Sequence, residues 1–178
     1  MNLYLMRHGI AVDAGDPSVA GDSQRPLTNK GVKRMRRAAR GLHRFGIDLD
    51  VILTSPILRA RQTADIVAAT LGMESRIQEI SGLAPESSVE QLLFGLTRYH
   101  DREHLLLVGH QPLLGQLLAY LIDVNRGAQV EFNLRKGSLC RVEVDAIPVS
   151  TPGALHWLLT SKQLRLLAGH PKQALSTL

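Results

Sequence analysis

Short apolar runs alternate along this chain with longer segments in which apolar residues recur every three or four positions. The runs fall at residues 3–6, 51–54 and 105–108. Such short, nearly continuous runs predict strands that are buried on both faces. The longer segments predict four helices, which cover residues 29–45, 58–71, 89–96 and 112–122. Strands separated by helices favour an α/β fold, a three-layer sandwich with a mostly parallel sheet.

Several residues mark where these helices begin and end. Thr28 is a typical N-cap for the first helix, and Gly46 and Gly72 are typical stops for the first and the second. Pro112 stands at the start of the last helix, where proline is tolerated. Residues 11–26 are rich in Gly, Asp, Ser and Pro and predict a long loop, and loops of that length are usually functional or mobile.

The C-terminal third changes character. The sequences "EFNL", "LCRVEV" and "ALHWLL" between residues 129 and 160 predict strands, with a turn at Gly137. We expect these strands to pair as antiparallel neighbours at an edge of the sheet, and "RIQEI" to add a short strand earlier in the chain. One domain over residues 1–160 accounts for the pattern. The order of the tail at 161–178 is not determined by it.

Composition narrows the class of protein. The chain has 178 residues, of which 44% are hydrophobic, enough for one domain with a sizeable core. A single cysteine, Cys140, rules out an internal disulfide and favours a reducing compartment. The N-terminus has no basic segment or cleavage site of a signal peptide, and residues 105–122, although free of charge, are interrupted by "GHQP". We therefore expect a cytoplasmic protein without a membrane span, and a monomer.

The net charge of +5 comes largely from the stretch "KGVKRMRRAARGLHR". A basic domain binds nucleic acid, anionic membranes or anionic substrates. Within the stretch, however, apolar residues recur at helical spacing, which leaves the basic side chains on the opposite face (Val32, Met35, Ala38, Ala39, Leu42). Aromatic residues make up only 4% of the chain, so few could stack on bases. A solvated basic helix face is the favoured interpretation over a nucleic-acid site.

Polar clusters follow three of the predicted strands: "RHG", "SPILRARQTA" and "GHQP". Because parallel strands end at one edge of a sheet, Arg7, His8, Arg59 and His110 are expected to converge there. Two guanidinium groups and two imidazoles form an anion site that suits phosphate, although a carboxylate would also fit. A neutral histidine in such a pocket is also a competent nucleophile toward phosphorus, and this chemistry needs neither a metal nor a cofactor.

These motifs resemble those of the histidine phosphatase superfamily, which has the phosphoglycerate mutase-like fold. "LMRHG", "RPLTNKG", "SPILRARQTA" and "LLLVGHQP" match its pattern in order, and the short chain is most similar to phosphohistidine phosphatases of the SixA type. The resemblance implies that His8 is the phosphorylated nucleophile. It also implies that Arg7, Arg59 and His110 bind the phosphate.

The chain departs from larger members of that superfamily because no general acid is evident. Five carboxylates are candidates by location: Glu79, Glu86, Asp13, Asp16 and Asp22. Arg25 either reaches the cleft or only pins the loop. An absent acid would fit the SixA-type interpretation, since the P–N bond of phosphohistidine has a better leaving group than a phosphate ester.

Three functional hypotheses remain. The first is a phosphatase for phosphohistidine on a protein, such as a histidine phosphotransfer domain, and the second keeps the mechanism but acts on a small phosphate ester. The third is a non-catalytic phosphate- or nucleic-acid-binding module. Other motifs are better explained structurally: Asp48 and Asp50 precede a strand instead of following one, and Cys140 lacks the arginine of a thiolate phosphatase. The seven histidines show no metal-binding spacing.

Overall fold

The computed structural model describes residues 1–123 and 130–169. Six strands form one sheet in the order β3-β2-β4-β1-β5-β6. The first four are parallel to one another, β5 is antiparallel to β1, and β6 is antiparallel to β5. The strands are β1 (Asn2–Arg7), β2 (Val51–Thr54), β3 (Ile77–Glu79), β4 (His104–Gly109), β5 (Leu139–Glu143) and β6 (Ala154–Leu159). The helices are α1 (Asn29–Phe45), α2 (Leu58–Leu71), α3 (Val89–Leu96), α4 (Leu113–Ile122) and α5 (Ser161–Leu167). The predicted α/β architecture and the antiparallel edge are confirmed.

Helices cover both faces of the sheet. In β1, Leu3 and Leu5 pack into one apolar cluster with α3 and α4, whereas Tyr4 and Met6 pack into a second cluster with α1, α2 and α5. This division explains why the first strand is apolar at four consecutive positions. The fold is thus a three-layer sandwich, with one layer of helices on each face of the central sheet.

The predicted helix boundaries are confirmed by their caps. The hydroxyl of Thr28 accepts the N–H of Gly31 at 2.9 Å at the start of α1. Gly46 and Gly72 end α1 and α2 with φ of 76° and 70°, left-handed values that favour glycine. Helix α1 buries Met35 and its small neighbours and leaves its arginines and lysines on the outer face, as the apolar spacing predicts.

One predicted strand is wrong. Residues 131–134 ("EFNL") form no strand, because side chains and not a neighbouring strand hold their carbonyl groups. Gln111 donates from Nε2 to the carbonyl of Phe132 at 2.8 Å, and Arg7 donates from Nη1 to the carbonyl of Leu134 at 2.8 Å. The segment therefore runs irregularly across the carboxyl ends of the central strands, next to the predicted site.

The tail, whose order the sequence pattern left undetermined, begins with α5. Leu164 is fully buried against α1, and a methyl group added at Gly41 would lie 1.9 Å from the carbonyl oxygen of Leu164, so the two helices touch backbone to backbone. Residues 170–178 lie outside the described residues. Within the described part of the chain, no helix is long and apolar enough to cross a membrane, and residues 105–122 form β4, a turn and α4.

The two motifs that were assigned structural roles have them. One carboxylate oxygen of Asp50 accepts the N–H groups of Glu103 and His104 at 2.7 and 2.9 Å, and this ties the start of β2 to the start of β4. Cys140 is fully buried in β5, and this burial raises the pKa of its thiol to about 12. Such a thiol stays protonated at neutral pH and packs as a small apolar group.

Candidate active site

The predicted site residues lie at the carboxyl ends of three adjacent strands. His8 directly follows β1, His110 directly follows β4, and Arg59 stands in the first turn of α2, which follows β2. All three side chains are buried, with exposed fractions of 5%, 2% and 5% respectively. Arg7 is the last residue of β1 and is half-buried. The parallel order β2-β4-β1 therefore brings the four residues to one edge, as the sequence argument expected.

The two imidazoles lie against each other, with ring centroids 5.0 Å apart. Nδ1 of His8 donates to the carbonyl of Gly9 at 2.7 Å, so the neutral ring carries its proton on Nδ1 and a free electron pair on Nε2. The backbone of this segment is also fixed. The N–H of His8 donates to Gly109 at 3.0 Å, and the N–H of Gly9 donates to the hydroxyl of Thr63 at 3.0 Å.

Burial keeps both imidazoles neutral. Desolvation, together with the positive charges of Arg59, Arg7 and Lys136 and against the hydrogen bond to Gly9, lowers the pKa of His8 to about 4. Desolvation, together with His8 and Arg59, lowers the pKa of His110 to about 3. At neutral pH the Nε2 atom of His8 is therefore unprotonated and available as a nucleophile.

His110 is held by Ser55, the last residue before α2 to face the site. Nε2 of His110 lies 3.0 Å from the Ser55 hydroxyl, which also accepts the N–H of Ile57 at 3.2 Å. When the Ser55 hydroxyl donates its proton to Nε2, the neutral ring carries its own proton on Nδ1. That Nδ1 atom is buried and has no hydrogen-bond partner within the described residues.

The predicted loop contributes Asp22, which binds two arginines. Nη1 of Arg59 donates to the backbone carbonyl of Asp22 at 2.7 Å, and Nη2 donates to its carboxylate at 2.9 Å. The second carboxylate oxygen lies 2.9 Å from Nη1 of Arg25. Arg25 thus pins the loop and, through Asp22, connects it to the site.

Buried donors without partners concentrate at this edge. Six buried side-chain nitrogen or oxygen atoms of the described residues have no hydrogen-bond partner, and four of them belong to predicted site residues: Nε of Arg7, Nε of Arg25, Nε of Arg59 and Nδ1 of His110. A buried donor without an acceptor is costly and rare in folded proteins. The donors of Arg7, Arg59 and His110, which lie close to His8, are suited to an anion with several oxygens, as phosphate has.

Of the five candidate acids, only Asp22 contacts the site. Glu79 is held by Arg61 at 2.6 Å, and Asp16 accepts from Ser18. Glu86 and Asp13 are exposed, and no contact ties either of them to the four site residues within the described chain. Burial acts to raise the pKa of Asp22, but the hydrogen bond from Arg59 and the charges of Arg59 and Arg25 bring it below its ordinary value. Asp22 is therefore ionised at neutral pH.

Sequence reasoning did not identify several residues that support the site. Ser55 orients His110, and Thr63 binds the Gly9 backbone while its hydroxyl donates to the carbonyl of Arg59 at 2.7 Å. The N–H of Gly137 donates to the carbonyls of both Arg7 and His8 at 3.0 Å. Ser55 and Thr63 stand inside the motif "SPILRARQTA", which was the available signal. Gly137 is too far away in sequence for local patterns to link it to the site.

Comparison with known proteins agrees with this arrangement. The family model of the histidine phosphatase superfamily (branch 1) matches residues 3–84. An uncharacterised protein of Picosynechococcus sp. is 40% identical over 92% of this chain and 99% of its own length. The phosphohistidine phosphatase SixA of Escherichia coli is 35% identical over 68% of this chain and 74% of its own length.

A solved structure has the same fold. It is that of the protein histidine phosphatase SixA complexed with tungstate, and it superposes with a TM-score of 0.79 at 29% identity. The match covers 92% of this chain and 99% of that chain. The resemblance to SixA-type proteins that the motifs indicated is confirmed by both sequence and fold.

Proposed function

This chain belongs to the histidine phosphatase superfamily and is a phosphatase, and from that premise we propose that its substrate is phosphohistidine on a protein. The observation that carries the proposal is the set of unpartnered donors on the residues beside His8 (Arg7 Nε, Arg59 Nε, His110 Nδ1). These residues lie beside a neutral imidazole whose Nε2 has a free electron pair. Tungstate, bound in the solved SixA structure, is a tetrahedral oxyanion like phosphate.

The reaction takes two steps at His8. In the first, Nε2 attacks phosphorus, the P–N bond of the substrate breaks, and the leaving imidazole of the partner protein gains a proton from solvent. In the second, water attacks phosphorus, the bond from phosphorus to Nε2 of His8 breaks, and inorganic phosphate leaves. Arg7 and Arg59 offset the charge on the equatorial oxygens, and His110 donates from Nδ1 to one of them.

The leaving group decides between the two candidate substrates. An imidazole leaves far more readily than an alkoxide because its conjugate acid ionises near neutral pH. A phosphate ester needs a group that protonates the departing oxygen. Asp22 is ionised and bound to Arg59 and Arg25, so it positions those arginines and holds no proton to give. This state of Asp22 favours phosphohistidine.

A small phosphate ester is the second candidate, and Asp22 is also the observation in its favour. Its carboxylate is more than half exposed, and it lies close enough to His110 for each group to influence the pKa of the other. If substrate binding displaced Arg59 from Asp22, the carboxylate would gain a proton more easily. The ester would then be hydrolysed by the same attack of His8.

Phosphate release from a protein that carries phosphohistidine, compared with release from β-glycerophosphate, an alkyl ester whose departing oxygen must be protonated, tests the proposal. We expect a larger kcat/KM for the phosphohistidine protein and no turnover by His8→Ala. His104→Ala is a matched control, because His104 is a half-buried histidine at the other end of the sheet. Preference for the ester would favour the second candidate. No release from either substrate by the folded protein would instead favour a non-catalytic binding module.

A further inference from the structure

A polar cavity adjoins the candidate active site on the side of β5 and β6. It has a volume of about 230 Å³ and opens beside Gly9, the residue that follows His8. Five cationic side chains line it, and we call it the basic cavity (Arg34, Arg135, Lys136, Lys162, Arg165). These residues come from α1, from the turn before β5 and from α5. No aspartate or glutamate is among the residues that line it.

Close backbone contacts hold the walls of the basic cavity in place. A methyl group at Gly31 would lie 2.1 Å from the carbonyl oxygen of Ile10, so the first turn of α1 sits directly on the chain that leaves His8. The close approach of Gly41 to Leu164 fixes α5 on α1 in the same way. Gly137, with φ of 74°, turns the chain so that its N–H binds the carbonyls of Arg7 and His8. The cations thus stand on rigid elements.

The charges of the basic cavity are not neutralised within the described chain. None of its five cations forms an ion pair with a carboxylate of residues 1–123 or 130–169. Nε of Arg165 donates a hydrogen bond to the carbonyl of Ser161 at 3.1 Å. Other arginines near the site, such as Arg25 and Arg59, do have a carboxylate partner in Asp22. Five cations of one sign around one opening attract an anion.

The basic cavity is electrically coupled to the nucleophile. The charge of Lys136 contributes to the low pKa of His8, so the two groups are within range of each other. Gly9, which directly follows His8, lines the cavity, so a ligand there would lie beside a phosphoryl group at His8.

We propose that the basic cavity binds carboxylate side chains of the partner protein that lie next to its phosphohistidine. The inference rests on the proposed function, since it places those carboxylates beside the phosphoryl group at His8. Carboxylates pair with arginine through two parallel hydrogen bonds and with lysine as point charges, and the cavity offers both kinds of cation. Charge complementarity of this kind steers association and fixes the orientation of the partner.

Nucleic acid is the less suitable ligand. No aromatic side chain lines the basic cavity, so a nucleobase would find no surface on which to stack. The cations also surround a single small opening, whereas single-stranded nucleic acid needs a groove that follows its backbone. Acidic side chains need only charge and hydrogen-bond donors, and the cavity has both.

Charge reversal at two exposed positions of the basic cavity tests the proposal. Arg135→Glu combined with Lys162→Glu should raise KM for a phosphohistidine protein that has flanking acidic residues. The ratio of kcat/KM for that protein to kcat/KM for p-nitrophenyl phosphate should fall at least tenfold. The matched control, Arg36→Glu with Arg40→Glu, makes the same change of net charge on the exposed side of α1 and should leave the ratio within twofold. An equal fall in both double variants would overturn the proposal.

A binding measurement separates failure of this proposal from failure of the proposed function. Fluorescein-labelled hexaglutamate, which carries no phosphate, should bind the wild-type chain at low ionic strength and bind the cavity variant at least tenfold more weakly. This result is informative even if the wild type does not hydrolyse phosphohistidine. Equal binding to wild type and cavity variant would overturn the carboxylate site, as would tighter binding of a hexanucleotide than of hexaglutamate by the same cavity.

Discussion

The two ends of the parallel strands differ in how their polar side chains are satisfied. At the amino ends, Asp50, Arg98 and Arg102 line a cavity of about 630 Å³. Some of its polar groups have partners: Asp50 accepts two backbone N–H groups, and Arg102 lies 3.5 Å from Asp101. One buried nitrogen near this end, Nδ1 of His104, lacks a partner within the described residues.

The carboxyl ends have more buried donors without partners than the amino ends. Four buried N–H donors lack acceptors there, and two neutral imidazoles lie 5.0 Å apart. The basic cavity beside them is smaller, at about 230 Å³, than the one at the amino ends. Carboxylates as well as arginines line the larger cavity, whereas four buried donors at the carboxyl edge have no hydrogen-bond partner within the described residues. Unsatisfied buried donors, and not cavity size, therefore distinguish the reactive edge of this sheet.

The largest difference between the two ends is expected from removing one arginine at each. Arg59→Ala removes a buried donor that faces the phosphoryl group, and kcat/KM for the phosphohistidine protein should fall by about 10²–10³, as for loss of one preorganised donor in other enzymes. Arg98→Ala removes an exposed arginine from the amino-end cavity and should change kcat/KM less than twofold. Steady-state kinetics on both variants measure this. Similar losses in the two would contradict the contrast.

A smaller loss of kcat/KM is expected from a substitution at Asp22, and its size tests the role of the loop at residues 11–26. In Asp22→Asn the backbone carbonyl still accepts from Arg59, and the side-chain oxygen can still accept from Arg59 or Arg25. We therefore expect less than a tenfold loss of kcat/KM for phosphohistidine and an unchanged pH profile. A loss above a hundredfold with the ester, together with disappearance of the alkaline limb, would instead identify Asp22 as a general acid.

The smallest effect concerns stability. The folded pKa of His8, about 4, lies below the ordinary value of 6.5, so the unfolded chain binds more protons between those two values. The free energy of unfolding should therefore fall as the pH drops from 8 to 5. In His8→Ala this fall should be smaller by about 2 kcal/mol, and His110→Ala should change in the same direction. Urea unfolding at both pH values measures the difference, and equal falls in wild type and variants would show that the imidazoles are not desolvated.

Much of the fold follows from local patterns, because the relevant physics is local. Four consecutive apolar residues at 3–6 require two buried faces, and Thr28, Gly46 and Gly72 act on the helix turns beside them. The convergence of Arg7, His8, Arg59 and His110 also follows, since parallel strands end at one edge. What failed was the strand at 131–134, whose carbonyls bind Gln111 and Arg7. Those partners are distant in sequence.

The supporting residues of the site show the same limit. Nothing near Gly137 in the sequence indicates that its N–H binds the carbonyls of Arg7 and His8. The sequence also did not indicate that Asp22 binds Arg59. Five carboxylates were comparable by location, and only the loop conformation brings Asp22 to Arg59. The positions of strand ends can be inferred from the pattern of apolar residues. The positions of loop side chains such as Asp22 depend on the whole fold.

The central claim is that the phosphoryl group passes through Nε2 of His8, and rapid-quench labelling tests it most directly. The chain would be mixed with a ³²P-labelled phosphohistidine protein, quenched in alkali within milliseconds, digested and mapped by mass spectrometry. We predict a label that is stable in alkali, labile in acid and located on the peptide that contains His8. We also predict that no label is found in His8→Ala. Release of phosphate by the wild type without any label on His8, or a label on another residue, would contradict the account.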